Sequence, residues 1–356
     1  MTSDVPNPRT SRNPELAHRL ARRGFLGVAA GAAAAAVLGA QPAQAAESGA
    51  HPGPATADGH RPVVPPGRLG IQLYTLRDQT ASVGFARVFE ELARYGYDEV
   101  EFAGYTQGSA GAITLAQLKR LMKDNGLRGI GSHVGYYSSD PKAYTFATNL
   151  TKVLDDAQAL GLPYVGTASG PDRYGNTVDG WKRAAADFNA YGAAAKARGM
   201  HFYQHNHAEE FAFATDNPKV RLYDVLLAET DPSLVRLEMD IYWAYVAQYR
   251  FSKRPDGTPA PFEPLDYVLA DPARYPLFHV KDGEHDEAAR DGYHMVDVGD
   301  GDIDYRHFLS RVGRLPNRKY HNWIVERDDA VDPAANPAGS LTTARRSASH
   351  LRNLRG

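Results

Sequence analysis

The chain has no cysteine, so disulfides, cysteine-ligated zinc sites and thiol nucleophiles are excluded together. It also has no marked excess of charge of either sign. A formal net charge of −2 over 356 residues gives no electrostatic ground for a polyanionic partner such as nucleic acid. The Ala-rich apolar run that ends near Leu38 is too short to cross a bilayer. No glycine-rich phosphate turn follows the first expected strand, which weakens an open doubly wound sheet as the fold. No internal repeat and no second domain are visible. What is there is ordinary globular composition, 43% hydrophobic, with length for one large core.

The first 46 residues differ from the rest. Arg19, Arg22 and Arg23 form a basic region, Gly24-Phe25-Leu26-Gly27 leads into the apolar run, and Ala43-Gln44-Ala45 offers a small-residue cleavage site. The adjacent arginines followed by Gly-Phe-Leu resemble the twin-arginine export signal, which carries folded proteins. The expectation is a signal peptide over 1–46 and export to the periplasm or beyond, with no stable membrane insertion after cleavage. Residues 47–67, rich in Pro, Gly, Ala and His, are expected to be a disordered linker.

From Leu69 the pattern alternates. Strands are expected at 70–74, 99–102, 129–133, 164–167, 202–207, 235–241, 277–281 and 323–326. Helical stretches follow them, among them Phe85–Tyr95, Thr114–Asn125, Pro141–Leu160, Val178–Arg198 and Thr342–Leu354. Such alternation over residues 68–356 predicts a single (β/α)8 TIM barrel. The longest insertions, Tyr249–Pro261 and Glu284–Asp304, both follow strands, where a barrel keeps its active-site loops.

Four stretches are apolar first and end in groups able to bind a metal: Pro276-Leu277-Phe278-His279-Val280-Lys281-Asp282, Phe202-Tyr203-Gln204-His205-Asn206-His207, Leu237-Glu238-Met239-Asp240-Ile241-Tyr242-Trp243 and Trp323-Ile324-Val325-Glu326-Arg327-Asp328. Asp240, His279 and Glu326 can supply three ligands to a divalent ion. The fourth is His205 or His207, which lie two apart and share a side on a regular strand. Lys281 shares a face with His279, as a cation for a substrate oxygen or as a salt-bridge partner of an acid such as Glu326. His133 ends the third strand, and Glu101 lies in the second. Either contacts substrate or is a satisfied interior group. Glu210 follows His207 in a loop beside Glu209, and Trp243 with Tyr242 could wall a sugar. The run Val298-Gly299-Asp300-Gly301-Asp302 reads as a tight turn shaping the mouth.

The His-Asn-His of the fifth strand, Met-Asp-Ile-Tyr-Trp, Phe-His-Val-Lys-Asp, Val-Gly-Asp-Gly-Asp-Ile-Asp and the final Val-Glu together resemble the xylose isomerase-like TIM barrel superfamily, over about residues 69–352. The group most like it is the sugar phosphate isomerase/epimerase-like proteins; inosose dehydratases, ketose 3-epimerases and endonuclease IV are related. The resemblance implies one divalent ion (Mn, Mg, Co or Zn) at the barrel mouth, held by His205, Asp240, His279 and Glu326. It implies proton removal beside a carbonyl to give an enediolate, reprotonated in isomerisation or epimerisation. Glu326, Lys281 and His207 are then the catalytic candidates, and His133, Glu101, Trp243 and Glu210 the substrate-binding ones.

One departure concerns the fifth strand, where ketose epimerases of this family carry a glutamate and this chain has His205. That puts two-base epimerisation in doubt and brings one-face chemistry forward: aldose–ketose isomerisation, or elimination from a keto-sugar or keto-glycoside as in an inosose dehydratase. No arginine cluster or glycine-rich turn offers to fix a phosphate, so the expected partner is a non-phosphorylated small-molecule carbohydrate. A homo-oligomer is left open. A non-catalytic sugar-binding barrel is one rival. A nuclease of the endonuclease IV type, using His133, Asp240, His279, Asp291 and His294, is another, disfavoured by the neutral charge and by Trp243 where a histidine would be wanted.

Overall fold

The computed structural model describes residues 61–104, 113–316 and 318–356. The expected signal peptide and the linker up to residue 60 lie outside the described residues. Residues 61–67 correct the expected linker boundary: Val63 and Val64 are buried, and Val63 N–H donates to Leu354 O (3.3 Å) at the end of the last helix. Two adjacent valines are better hidden than left in water, so the folded chain begins before Leu69. No helix among the described residues is long and apolar enough to cross a membrane.

The strands are β1 (Leu69–Gln72), β2 (Glu99–Phe102), β3 (Arg128–Ser132), β4 (Tyr164–Thr167), β5 (His201–His205), β6 (Val235–Asp240), β7 (Leu277–Val280), β8 (Asp282–His285), β9 (Tyr293–Val296) and β10 (Asn322–Val325). Eight of them form one parallel sheet in the order β3-β2-β1-β10-β7-β6-β5-β4. Its two ends meet where His133 bridges Gly166 and Val134 N–H donates to Gly166 O (2.8 Å), so the sheet is a nearly closed barrel. Helices cover the outside, as parallel strands require of their crossovers. The helix Gly84–Tyr95 turns Phe85, Val88, Phe89 and Leu92 inward and stops at Gly96, whose positive φ of 87° suits glycine. Thr114, Thr145 and Thr177 each cap the helix that follows with a side-chain oxygen.

Two elements were not foreseen. The strand expected over 235–241 ends at Asp240, and a helix, Ile241–Arg250, starts at once. Ile241, Tyr242 and Trp243 favour strand locally, but the Asp240 carboxylate accepts the Trp243 N–H through Oδ1 (2.9 Å) and starts the helix instead. The insertion after β7 holds the antiparallel hairpin β8–β9. Its base is pinned by Asp282, whose carboxylate accepts N–H groups from Gly283 (2.9 Å), Gly299 (2.9 Å) and Gly301 (3.3 Å). The expected tight turn over 298–302 is thus held by one aspartate.

The barrel interior below the mouth is apolar, with Ile130, Tyr203, Leu277 and Ile324 in one cluster. Where β4 pairs with β5, Gly166 faces Tyr203, and a Cβ there would lie 2.2 Å from Tyr203 O and 2.5 Å from its ring. Gly166→Ala is expected to destabilise the fold by about 1–3 kcal/mol, the range for overpacking a filled interior. Denaturant midpoints check this, and an unchanged midpoint would contradict the packing account.

Candidate metal centre and cavity

In a parallel barrel, residues two apart on one strand share the inward face. That rule brings Glu238 and Asp240 together on β6, His279 with Lys281 on and just past β7, and Ile324 with Glu326 on and just past β10. His205 ends β5, and His207 two residues on opens into the same space, its ring centroid 5.0 Å from that of His205. Of the two, His205 belongs to the ligand clusters, while His207 lines a cavity of about 450 Å³ above them.

Two groups of potential ligands lie within 4.8 Å: His205, Asp240, His279 and Glu326, and below them His133, His205, Glu238 and His279. Both share His205 and His279, but through different ring nitrogens. On the upper side, His279 Nδ1 lies 2.7 Å from Glu326 Oε2 and 3.9 Å from Asp240 Oδ2, and His205 Nε2 lies 3.7 Å from the same Asp240 oxygen. On the lower side, His279 Nε2 lies 2.7 Å from Glu101 Oε2 and 3.3 Å from Glu238 Oε2, and His205 Nδ1 lies 3.0 Å from Glu238 Oε2. His133 Nε2 also reaches Glu238 Oε2, at 2.8 Å. With each ring neutral, lower carboxylates that take the proton-bearing nitrogens would leave one lone pair on each ring for the upper group; for His279 that requires loss of its second proton. A metal-ligating histidine needs that arrangement behind it.

The upper group fits a divalent ion. Two imidazoles and two carboxylates are a suitable donor set, and all four side chains are buried. Asp240 Oδ2 receives no hydrogen bond among the described residues, although Lys281 Nζ stands 2.9 Å away as a charge partner outside hydrogen-bond geometry. Carboxylates are also crowded here: Asp240, Glu326 and Asp328 all meet one ammonium, Lys281, while Glu101 and Glu238 face His133, His205 and His279. A buried carboxylate without a cation is costly.

The titration pattern follows from this crowding. Burial, with His279 close by, holds His205 well below the usual histidine range, so its ring is neutral. Burial would depress His279 as well, but Glu238, Glu326 and Glu101 outweigh it and hold the ring well above that range. Burial pushes Asp240 up to about 6 against the pull of Lys281 and His279. Burial acts upward on Glu326 too, yet Lys281 and His279 keep it well below the carboxylate range. His207, desolvated and close to Lys281, is lowered to about 4 and is a neutral imidazole in the cavity.

The cavity is walled by Tyr74, Val134, Trp243 and Asp328, with His133, His205, His207, Lys281 and Glu326 toward its floor. Trp243 Nε1 donates to Asp328 Oδ2 (3.1 Å), and Lys281 Nζ donates to Asp328 Oδ1 (2.7 Å). Two expected substrate contacts are corrected. Glu101 is fully buried and committed to Gln72 (2.9 Å), the Tyr203 hydroxyl and His279, so it holds a ligand from beneath and does not face the cavity. Glu210 turns back into its own loop, where Oε2 accepts the His207 N–H (2.7 Å). Asp291 pairs with Arg250 (3.3 Å) and exposed His294 with Asp286 (2.7 Å), so neither joins the cluster. Glu238 and Asp328 lie within the stretches singled out in the sequence, but sequence reasoning gives neither a role in the site. The signal for Glu238 was its inward register two residues before Asp240.

The family model of the xylose isomerase-like TIM barrels matches residues 89–354. A solved sugar phosphate isomerase/epimerase from Parabacteroides distasonis ATCC 8503 is 21% identical, with a TM-score of 0.60 over 80% of this chain and 94% of that one. A second from the same organism is 23% identical, with a TM-score of 0.60 over 80% and 97%. An IolI protein with a bound zinc atom is 16% identical, with a TM-score of 0.56 over 80% and 97%. At these identities the likeness shows the fold. No curated protein sequence matches the chain.

Glu210 gives a pH prediction. Burial raises its carboxyl to about 8, so between about 4.3, the ordinary glutamate value, and that point the folded chain holds a proton that the unfolded chain has lost. Stability from this group is present at low pH and falls as pH rises through that window. Glu210→Gln keeps an acceptor for the His207 N–H without the charge. It is expected to match the parent near pH 4 and to exceed it near pH 9 by on the order of a few kcal/mol. Denaturant titrations at both pH values check this; parallel pH slopes in the two proteins would contradict it.

Proposed function

Because the chain belongs to the xylose isomerase-like TIM barrel family, we propose that it is a divalent-metal-dependent sugar isomerase or epimerase. Its substrate on this reading is a non-phosphorylated carbohydrate, processed through an enediolate. The observation that carries the reading is the convergence of His205, Asp240, His279 and Glu326 within 4.8 Å, at the floor of a cavity walled by Trp243 and Tyr74.

A divalent ion bound there supplies Lewis acidity toward a carbonyl and its neighbouring hydroxyl. The remaining work falls to the chain. Glu326 is ionised and borders the cavity, so it takes the proton from the hydroxyl-bearing carbon next to the carbonyl and, in isomerisation, returns it to the former carbonyl carbon. Lys281 presents an ammonium to a substrate oxygen. His207, a neutral imidazole, is the second proton-transfer group. Trp243 and Tyr74 offer faces for a sugar ring, and Trp243 is fixed by its bond to Asp328. The lining carries Glu326 and Asp328 against a lysine already paired, with no arginine among the lining residues, and this supports a neutral sugar over a sugar phosphate.

A second reading, elimination from a keto-sugar or keto-glycoside, draws on the fifth strand. It ends in imidazoles where a second carboxylate base would favour two-face epimerisation. On either reading the enzyme is exported, on the strength of Arg22-Arg23-Gly24-Phe25-Leu26 and the apolar run after it.

The test is proton NMR in heavy water on metal-loaded protein with a panel of ketoses, aldoses and keto-glycosides. Deuterium is expected at a carbon next to a carbonyl, and the product separates isomerase from lyase. Glu326→Gln is expected to slow that exchange by about 100-fold or more, the scale of lost general base catalysis. A variant exchanging at the parental rate would remove Glu326 as the base, and no exchange with any sugar would overturn the isomerase reading.

A further inference from the structure

Resting on the divalent-ion reading above, we propose that Lys281 is an internal competitor for the ion, and that Asp328 is the berth that draws its ammonium aside. Lys281 Nζ lies 2.9 Å from Asp240 Oδ2 and 2.8 Å from Glu326 Oε2. These are the same oxygens that face His205 Nε2 and His279 Nδ1. An ion held by the upper group and the lysine ammonium therefore share one pair of acceptors.

The three carboxylate contacts of Lys281 are not alike. Those to Asp240 and Glu326 are charge contacts, whereas the hydrogen bond it donates goes to Asp328 Oδ1 at 2.7 Å. Asp240 Oδ2 accepts no hydrogen bond among the described residues. Asp328 belongs to neither ligand group. It is held in place from its other side, where Oδ2 accepts from Trp243 Nε1 (3.1 Å) and the backbone oxygen accepts from Arg77 (2.9 Å). The Trp243 ring lies 5.8 Å from Nζ, close enough for a cation–π contribution on the same side. The ammonium thus has a prebuilt position, anchored by Asp328 and Trp243, that it keeps when an ion takes the two shared oxygens.

This arrangement gives the two residues opposite effects on ion affinity. Removing the lysine charge removes the competitor. Removing the Asp328 charge removes the berth and leaves the ammonium on the ligand oxygens. The pair also couples ion and substrate, because an ammonium displaced toward Asp328 stands on the cavity side of the ligands, where a sugar oxygen would meet it.

The experiment is chelator-competition titration of Zn2+ and Mn2+ into the purified, metal-stripped chain and into Lys281→Met, Asp328→Asn and the double variant. A melting curve of each checks folding, and Lys281→Gln replaces the Met variant if that one does not fold. Lys281→Met is expected to bind roughly tenfold tighter and Asp328→Asn roughly tenfold weaker, the lower end of what outer-shell groups do to metal affinity. With Lys281 already Met, Asp328→Asn is expected to change affinity little. Weaker binding in both single variants is what a merely structural pair would give, and it would overturn the competitor role while leaving the ion site standing. A parent chain that binds neither ion would overturn both.

Discussion

Two imidazole rings, each clamped between carboxylates on both sides, hold the mouth of this barrel together. His279 has Glu326 and Asp240 on one edge and Glu101 and Glu238 on the other, and His205 stands between Asp240 and Glu238. Two like charges about 4 Å apart repel by about 4 kcal/mol at the effective dielectric of a protein. A cluster this acidic therefore persists only with cations inside it. Lys281 and a protonated His279 supply them in the chain itself, which is why both are held well above their ordinary range. An ion bound among the upper ligands would take over the charge that the His279 proton carries, and its uptake would then release that proton.

The barrel turns this local chemistry into a cavity. Its parallel register delivers each group from a different strand to one level, and an apolar layer of Ile130, Tyr203, Leu277 and Ile324 lies in the barrel interior. Glu101 and Tyr203 link that layer to the ligands, the tyrosine hydroxyl donating to the carboxylate that braces His279. Above the ligands, the helix that starts at Asp240 places Trp243 beside Asp328, and Asp282 pins the hairpin that follows β7. Asp240 has two tasks divided between its oxygens: Oδ1 starts the helix and Oδ2 faces the histidines. One substitution there would disturb both the ligand set and the wall.

Much of this was legible in the sequence because strands and helices alternate with clear punctuation, and because polar residues at the C-terminal ends of apolar runs have few structural reasons to be there. Asp240, His279 and Glu326 stand out in that way, with His205 or His207 as a fourth, and the structure brings His205 together with those three. The missed features share a cause. Glu238 sits inside a strand where an acid looks like an interruption, and only the inward register shows it meeting three histidines on other strands. Glu101 was weighed as a substrate contact because a sequence does not give depth, and depth separates a residue under the ligands from one above them. The helix after Asp240 was hidden by strand-favouring residues that a single capping carboxylate overrides.

The proposed divalent ion belongs in the upper group, with Glu238 bracing the histidines from below. Anomalous diffraction at the manganese or zinc edge, on crystals grown with that ion, tests it most directly. The account predicts a single strong peak bounded by His205 Nε2, Asp240 Oδ2, His279 Nδ1 and Glu326. A peak centred instead on Glu238 and His133, or no peak at the barrel mouth, would contradict it.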